Sequence, residues 1–381
     1  MPTTIRRSGA VTAAFVILLA LTAAACDDDT TPQAAPPATT AAASASGNGK
    51  SGIKLPDSLK DLKNWSADDL AKWAAEHGFK PEVLKGYWNQ VKMEAAKGVK
   101  PKEANIATAK SPSRAEVQLP PAIPAVAEKH PYNAATAVVG KIFLSVSPSA
   151  DAECSGTVVS DPANPGRSNL VWTAAHCVHQ GKGGDWFKKI GFVPSYNKGG
   201  AASGGRKATF EQLAPFGAWT MDDGYIDPHW YQEGGDKGGP ASQYDFAVFH
   251  VRNEDGSGRS LEETVGGSIP VWFNAPADQV TAASAYGYPA DAPFDGLELE
   301  HCDSKVRLTP YVYDAERPPM NAMGCTMTGG SSGGGWFAQH GGKPALVSNT
   351  SVGNDAGTFL AGPTLGADAQ KGFDYFSRKK H

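Results

Sequence analysis

Beyond Pro131 the chain is a succession of short apolar, β-favouring runs: Val138 to Val146, Ser155 to Ser160, Leu170 to Thr173, Phe246 to Val251 and Ala345 to Asn349. Gly, Pro, Asn and Asp separate them. Short strands between turns predict an all-β domain, an antiparallel barrel or sandwich, rather than alternating βαβ units. The 43 glycines and 28 prolines supply the turns such a domain needs. At 381 residues, with 41% hydrophobic and 19% charged residues, the chain has room for one core of about 200 to 250 residues plus appendages. A net charge of -4 gives no basic face, so no nucleic-acid partner is expected.

The appendages lie upstream. Arg6 and Arg7 precede an apolar run from Val11 to Leu21 and then Ala23 to Ala25, which is the pattern of a signal peptide over 1–25. Small residues ahead of Cys26 resemble the lipobox of bacterial lipoproteins, in which that cysteine carries the lipid. An ordinary signal peptidase would accept the same alanines. Either route takes the chain out of the cytosol, to the outer face of the membrane through a lipid on Cys26 or to secretion. Residues 26–52 are rich in Ala, Thr, Pro, Ser and Gly and read as a disordered tether. Within 53–110, Ser66 with Asp68 and Asp69 starts a helix carrying Leu70, Trp73 and Ala74. Pro81 suits the first turn of a second helix through Val83, Leu84, Trp88 and Val91. Two short helices cannot form a core alone, so this region is expected as a pro-segment packed on the following domain or as a partner-binding segment. Prolines 112, 120, 121 and 124 mark 111–130 as a linker, leaving 131–381 as the main domain.

Four cysteines remain: Cys154, Cys177, Cys302 and Cys325. In an exported chain an even count implies two disulfides, and three pairings are possible. Sequence neighbours suggest Cys154 with Cys177 and Cys302 with Cys325. No Cys-x-x-Cys pair points to a metal, and His229, His250 and His301 read as surface residues, so neither metal nor cofactor is expected.

Chemistry concentrates in three places. In Met327-Thr-Gly-Gly-Ser-Ser-Gly-Gly-Gly-Trp336, glycines flanking two serines would let backbone N–H groups converge on a developing oxyanion, whereas the bland reading is a flexible linker. Leu170 to Val178 ends an apolar strand in Thr-Ala-Ala and sets His176 beside Cys177, where the ring can offer one nitrogen to a serine while a carboxylate holds the other. Asp245 heads the strand Phe246 to Val251, a place for a buried acceptor or, on the bland reading, a turn residue.

Together, Thr173-Ala-Ala-His-Cys177, Asp245-Phe-Ala-Val248 and Gly330-Ser-Ser-Gly-Gly334 resemble, in order, the three catalytic blocks of chymotrypsin-like (trypsin-like) serine proteases, and the bacterial secreted members most. The resemblance covers about residues 131 to 381. It implies a double antiparallel β-barrel of chymotrypsin type, preceded here by the short helical segment, with the site between the barrels. It further implies a serine endopeptidase acting on a peptide or protein substrate, with His176 as general base, Asp245 orienting it and Ser332 as nucleophile. The N–H groups of Gly330 and Ser332 would form the oxyanion hole, Cys154–Cys177 the bridge beside the histidine, Thr326 the floor of the specificity pocket, and Ser348 the start of the substrate-pairing strand.

Three departures from the family pattern carry consequences. Ser331 stands where relatives activated by cleavage carry an aspartate, so a cut at Val138 is not expected to switch the site on; control by residues 53–130 is expected to act by covering the cleft. Gly335 replaces a common proline, and Thr326 offers no acidic floor for Arg or Lys. Two other classes fit part of the pattern. A non-catalytic envelope binding module would keep the barrel without turnover. A secreted esterase would use Gly329-Gly-Ser-Ser-Gly333 as a nucleophile elbow, but that fold requires a helix after the serine and then Asp and His, for which Gly-Gly-Trp and some fifty remaining residues leave little room.

Overall fold

The computed structural model describes residues 64–104, 108–110 and 118–381, all within one compact unit; the signal peptide, Cys26 and the tether lie outside the described residues. The first barrel consists of strands Val139–Ser147, Ala150–Val159, Leu170–Thr173, Lys188–Pro194, Trp219–Ile226 and Ala247–Arg252. Each pairs antiparallel with its neighbours, and Ala150–Val159 closes the ring on Leu170–Thr173, so the six strands leave no open edge. Ile142, Val158, Phe192 and Phe249 are buried in it, while Phe143 and Trp172, on the opposite faces of their strands, are buried beneath Trp88 and Phe373.

The second lobe contains two five-stranded sheets. One holds Val126–Ala127, Ala283–Gly287, Glu300–Ser304, Gly335–His340 and Lys343–Asn349. The other holds Lys102–Glu103, Thr309–Tyr311, Met320–Gly324, Val352–Gly353 and Phe359–Pro363. Met323, Trp336, Val347 and Leu360 pack between them. This is the double β-barrel expected from the sequence. Both suggested disulfides are made, Cys154–Cys177 and Cys302–Cys325, each with a sequence separation of 23. On the loop-entropy model each stabilises by roughly 3 kcal/mol.

The region before the barrels is built into them. Helix Ala67–His77 forms where Ser66 predicted it, because Ser66 Oγ accepts from the Asp69 N–H while the Asp69 carboxylate accepts from the Ser66 N–H. The second helix differs from expectation. Residues 81–88 are not helical, and the helix is Gln90–Ala95, capped by Asn89. Tertiary contacts override helical periodicity there. Glu82 accepts from the Lys189 N–H (2.6 Å), the Leu84 N–H donates to Glu254 (3.2 Å), Trp88 Nε1 donates to the Lys189 carbonyl (2.7 Å), and Gly86 turns the chain at φ +70. Leu70, Trp73, Phe79, Leu84, Trp88 and Met93 all join the buried cluster of the first barrel. At about 1.5–3 kcal/mol each, their burial contributes on the order of 10 kcal/mol before entropy is counted.

Part of the expected linker is also ordered. Val126–Ala127 pairs with Glu300–Ser304, and the Thr326 N–H donates to the Ile123 carbonyl (3.1 Å). His229 corrects another expectation: it is buried, bonded through Nδ1 to Asp227 and stacked on Tyr244 at 3.7 Å. A C-terminal helix, Ala367–Arg378, lays Phe373 and Phe376 on the first barrel.

Candidate active site

Strand register brings the first two chemical blocks together. Leu170–Thr173 pairs with Ala247–Arg252 so that Thr173 faces Ala247, which puts Asp245 just before one strand level with the turn just after the other. That turn, a single 3-10 turn over Ala175–Cys177, presents His176 and is tied by its cysteine to Cys154 of the neighbouring strand. Asp245 then grips His176 twice: Oδ1 accepts from its backbone N–H (2.9 Å) and Oδ2 faces Nδ1 (2.6 Å). Ser351 Oγ also donates to Oδ2 (2.6 Å), and Asn349 Nδ2 donates to the Asp245 carbonyl (3.0 Å). Asp245 is fully buried. Burial pushes its carboxyl up, but the charge and hydrogen bond of His176, with the Ser351 hydroxyl, outweigh burial and hold it below the usual carboxylate range.

The Gly/Ser stretch is no linker. Gly330 and Gly333 take φ of +97 and +78, where L side chains are strained, and a Cβ on Gly333 would collide with Thr173 Oγ1. Backbone bonds fix the turn: the Ser155 N–H donates to the Ser332 carbonyl (2.8 Å), and the Gly333 N–H donates to the Thr350 carbonyl (2.8 Å). Ser155 Oγ donates to the Gly330 carbonyl (2.8 Å) while accepting from the Tyr288 N–H (2.9 Å). Ser332 is thus carried beside the strand that holds Cys154, and Gly333 against the segment leading to His176. Ser332 Oγ and His176 Nε2 are both buried, and neither makes a hydrogen bond among the described residues. Such unpaired polar atoms are uncommon in an interior. Ser331 is different, because its hydroxyl donates to the Thr328 carbonyl (2.7 Å).

The remaining expected positions fare unevenly. Thr326 Oγ1 accepts from the Ala125 N–H (2.8 Å) and is absent from the lining of the adjacent cavity of about 150 Å³, whose wall includes Met327, Thr328, Asn354, Gly357 and Leu360. Ser348, expected to begin the substrate-pairing strand, is buried near the end of strand Lys343–Asn349 with its hydroxyl donating to the Pro363 carbonyl (2.8 Å). Ser351, which sequence reasoning passed over, is the serine that bonds Asp245. The run Ser348-Asn-Thr-Ser351 offers two serines three residues apart, and only the position of the bend after strand Lys343–Asn349 separates them. Among the described residues one group has metal-ligand spacing, Cys154, His176 and Cys177, with ligand atoms within 4.8 Å. Its sulfurs form the disulfide and offer no thiolate.

The N-terminal segment crosses this site. Lys97–Gly98 adds parallel to Ala150–Val159 of the first barrel, and Lys102–Glu103 adds parallel to Val352–Gly353 of the second. Between these two pairings the Gly330 N–H donates to the Val99 carbonyl (2.9 Å).

No protein-family model and no curated protein sequence matches the chain. Solved structures do. The chain is similar to the thermostable serine protease AL20 from an extremophilic microorganism, at 30% identity over 65% of this chain and 100% of that one, with a TM-score of 0.51. It also matches the protease Anisep from Arthrobacter nicotinovorans, at 27% identity over 65% of this chain and 98% of that one, with a TM-score of 0.49. By its fold and its similarity to AL20, the chain belongs to the chymotrypsin-like serine proteases.

Proposed function

We propose that the chain is a serine endopeptidase that hydrolyses peptide bonds of peptide or protein substrates through an acyl-enzyme. Ser332 Oγ attacks the scissile carbonyl, His176 Nε2 takes its proton and returns it to the leaving amine, and Asp245 holds the imidazole in the required tautomer. The N–H groups of Gly330 and Ser332 receive the developing oxyanion. Residues 131–381 form the peptidase domain, and residues 53–110 form its pro-segment. Export with anchoring through a lipid on Cys26, or secretion, completes the reading.

The observation that carries it is the buried His176–Asp245 pair, whose second ring nitrogen, like the Ser332 hydroxyl in the same interior, has no partner among the described residues. Neutral hydrogen bonding of Ser331 supports a loop that needs no inserted ammonium, since an uncompensated buried charge would cost several kcal/mol. An esterase with a nucleophile elbow is disfavoured because strand Gly335–His340, not a helix, follows the serines.

The test is prolonged labelling with a small fluorophosphonate, alongside casein hydrolysis, on the chain as it stands and after nicking by thermolysin that is then quenched with chelator. Ser332 should be the modified residue. Ser332→Ala and His176→Ala should each remove labelling and nearly all hydrolysis, while Ser331→Ala retains both. Modification of Ser331, or none in either preparation, overturns the assignment.

A further inference from the structure

We propose that residues Lys97–Ala104 are a built-in inhibitor that works by occupying the oxyanion hole and the substrate-pairing edge with its own backbone. This rests on the roles given above to Gly330 and Ser332. Backbone hydrogen bonds hold the strap, in addition to its two strand pairings. The Val99 N–H donates to the Glu153 carbonyl (2.8 Å), and the Val99 carbonyl accepts from the Gly330 N–H (2.9 Å). The Lys102 N–H donates to the Ser351 carbonyl (2.9 Å), the Ala104 N–H donates to the Gly353 carbonyl (2.7 Å), and the Glu103 carbonyl accepts from the Gly238 N–H (2.9 Å). The strap therefore bridges the two barrels across the cleft.

Three of these bonds occupy groups that turnover needs. An oxyanion hole accelerates acyl transfer because its donors are free to meet charge that develops in the transition state; a donor already satisfied by a neutral carbonyl cannot do so without being released. The Ser351 and Gly353 carbonyls form an edge on which an extended substrate can add as a strand, and the strap has added there first. Lys100 and Pro101 stand in the wall of the cavity that includes Met327 and Thr328. Gly98 permits the approach: a Cβ there would lie 2.6 Å from the Gly329 carbonyl carbon and 2.8 Å from the Gly330 nitrogen. Upstream, Trp88 and Met93 are buried in the first barrel, so the strap is delivered by an anchored segment. Because the contacts are made by the backbone, the block is insensitive to most side-chain changes and sensitive to loss of N–H donors.

Proline substitution tests this without adding bulk at the nucleophile turn. Lys102→Pro/Ala104→Pro removes both donors to the Ser351–Gly353 edge. In the full chain, kcat/KM for a small chromogenic peptide and the rate of fluorophosphonate labelling of Ser332 should both rise about 100-fold or more, the factor expected from restoring one oxyanion donor. Val83→Ala, exposed on the same segment, should change neither. Amide hydrogen exchange at Gly330, read separately, should be slow in the unaltered chain and fast in the double variant, whatever the activity. If the double variant does not fold, a Gly-Ser replacement of Lys97–Ala104 of equal length takes its place. An unaltered chain as active as the variant, fast exchange at Gly330, or cleavage between Val99 and Lys100 that shows the strap to be a substrate would each overturn the proposal. Absence of hydrolysis and labelling in every variant, with Gly330 exchange responding as expected, would instead keep the strap and overturn the protease mechanism.

Discussion

Trp88→Ala asks whether the segment before the barrels is an appendage or part of the core. Trp88 is 4% exposed, packs at a tilt against Phe143 with ring centroids 5.4 Å apart, donates through Nε1 to the Lys189 carbonyl (2.7 Å), and lies where Gly191 leaves it space. Truncating a buried aromatic costs about 3–5 kcal/mol, within which the orphaned Lys189 carbonyl accounts for roughly 1 kcal/mol. A loss of about 4 kcal/mol is nearly a thousandfold in the folding equilibrium and a large share of the roughly 5–15 kcal/mol that stabilises a domain. With a urea m-value of about 2–3 kcal/mol/M, the midpoint should fall by about 1–2 M. The assay is equilibrium urea unfolding of the full chain followed by far-UV circular dichroism and by tryptophan fluorescence, with coincident transitions required. The same variant should loosen the strap and raise peptide hydrolysis in native buffer. An unchanged midpoint, or a split curve in which the barrels keep their transition while the segment melts alone, refutes the claim that the segment completes the first barrel.

Three further outcomes are expected. Ser351→Ala removes a 2.6 Å hydrogen bond to the Asp245 carboxylate, worth about 1.5–3 kcal/mol to a charged acceptor. It should lower stability by about that amount and move the acid limb of the kcat/KM profile to higher pH, as measured in the proline-substituted background. His179 has its pKa pushed down to about 4 by burial, beside Tyr231 and Trp186 and near His77. Its folded pKa lies below the unfolded value, so its contribution is complete above about pH 6.5 and is lost as pH falls toward 4; urea midpoints of the chain and of His179→Gln should diverge across that window. Glu300 has its pKa raised to about 7 by burial and by Glu298. The folded state holds the proton longer than the unfolded one, so stability declines as pH rises from about 4.5 through 7; Glu300→Gln should flatten that slope and raise Tm at pH 8.

Local pattern and chemistry made most of the scaffold legible. The five runs became strands because β-favouring residues bounded by turn formers leave the chain few other ways to bury them. The helix at Ser66 formed because a capping box needs only four consecutive residues. The sequence by itself thus determined the all-β class, the helix start and the three blocks from which the site is built, and suggested the disulfide partners that the structure makes. Tertiary structure decided what depends on residues far apart in the chain. Residues 81–88 exchanged helical bonds for contacts with Glu254 and Lys189, the latter some hundred positions downstream. Ser351 reached Asp245 because of where the chain bends after Asn349, which no local pattern shows. The strap over Gly330 was equally hidden. It is held almost entirely by backbone N–H and carbonyl groups, which every residue carries and no side-chain pattern advertises.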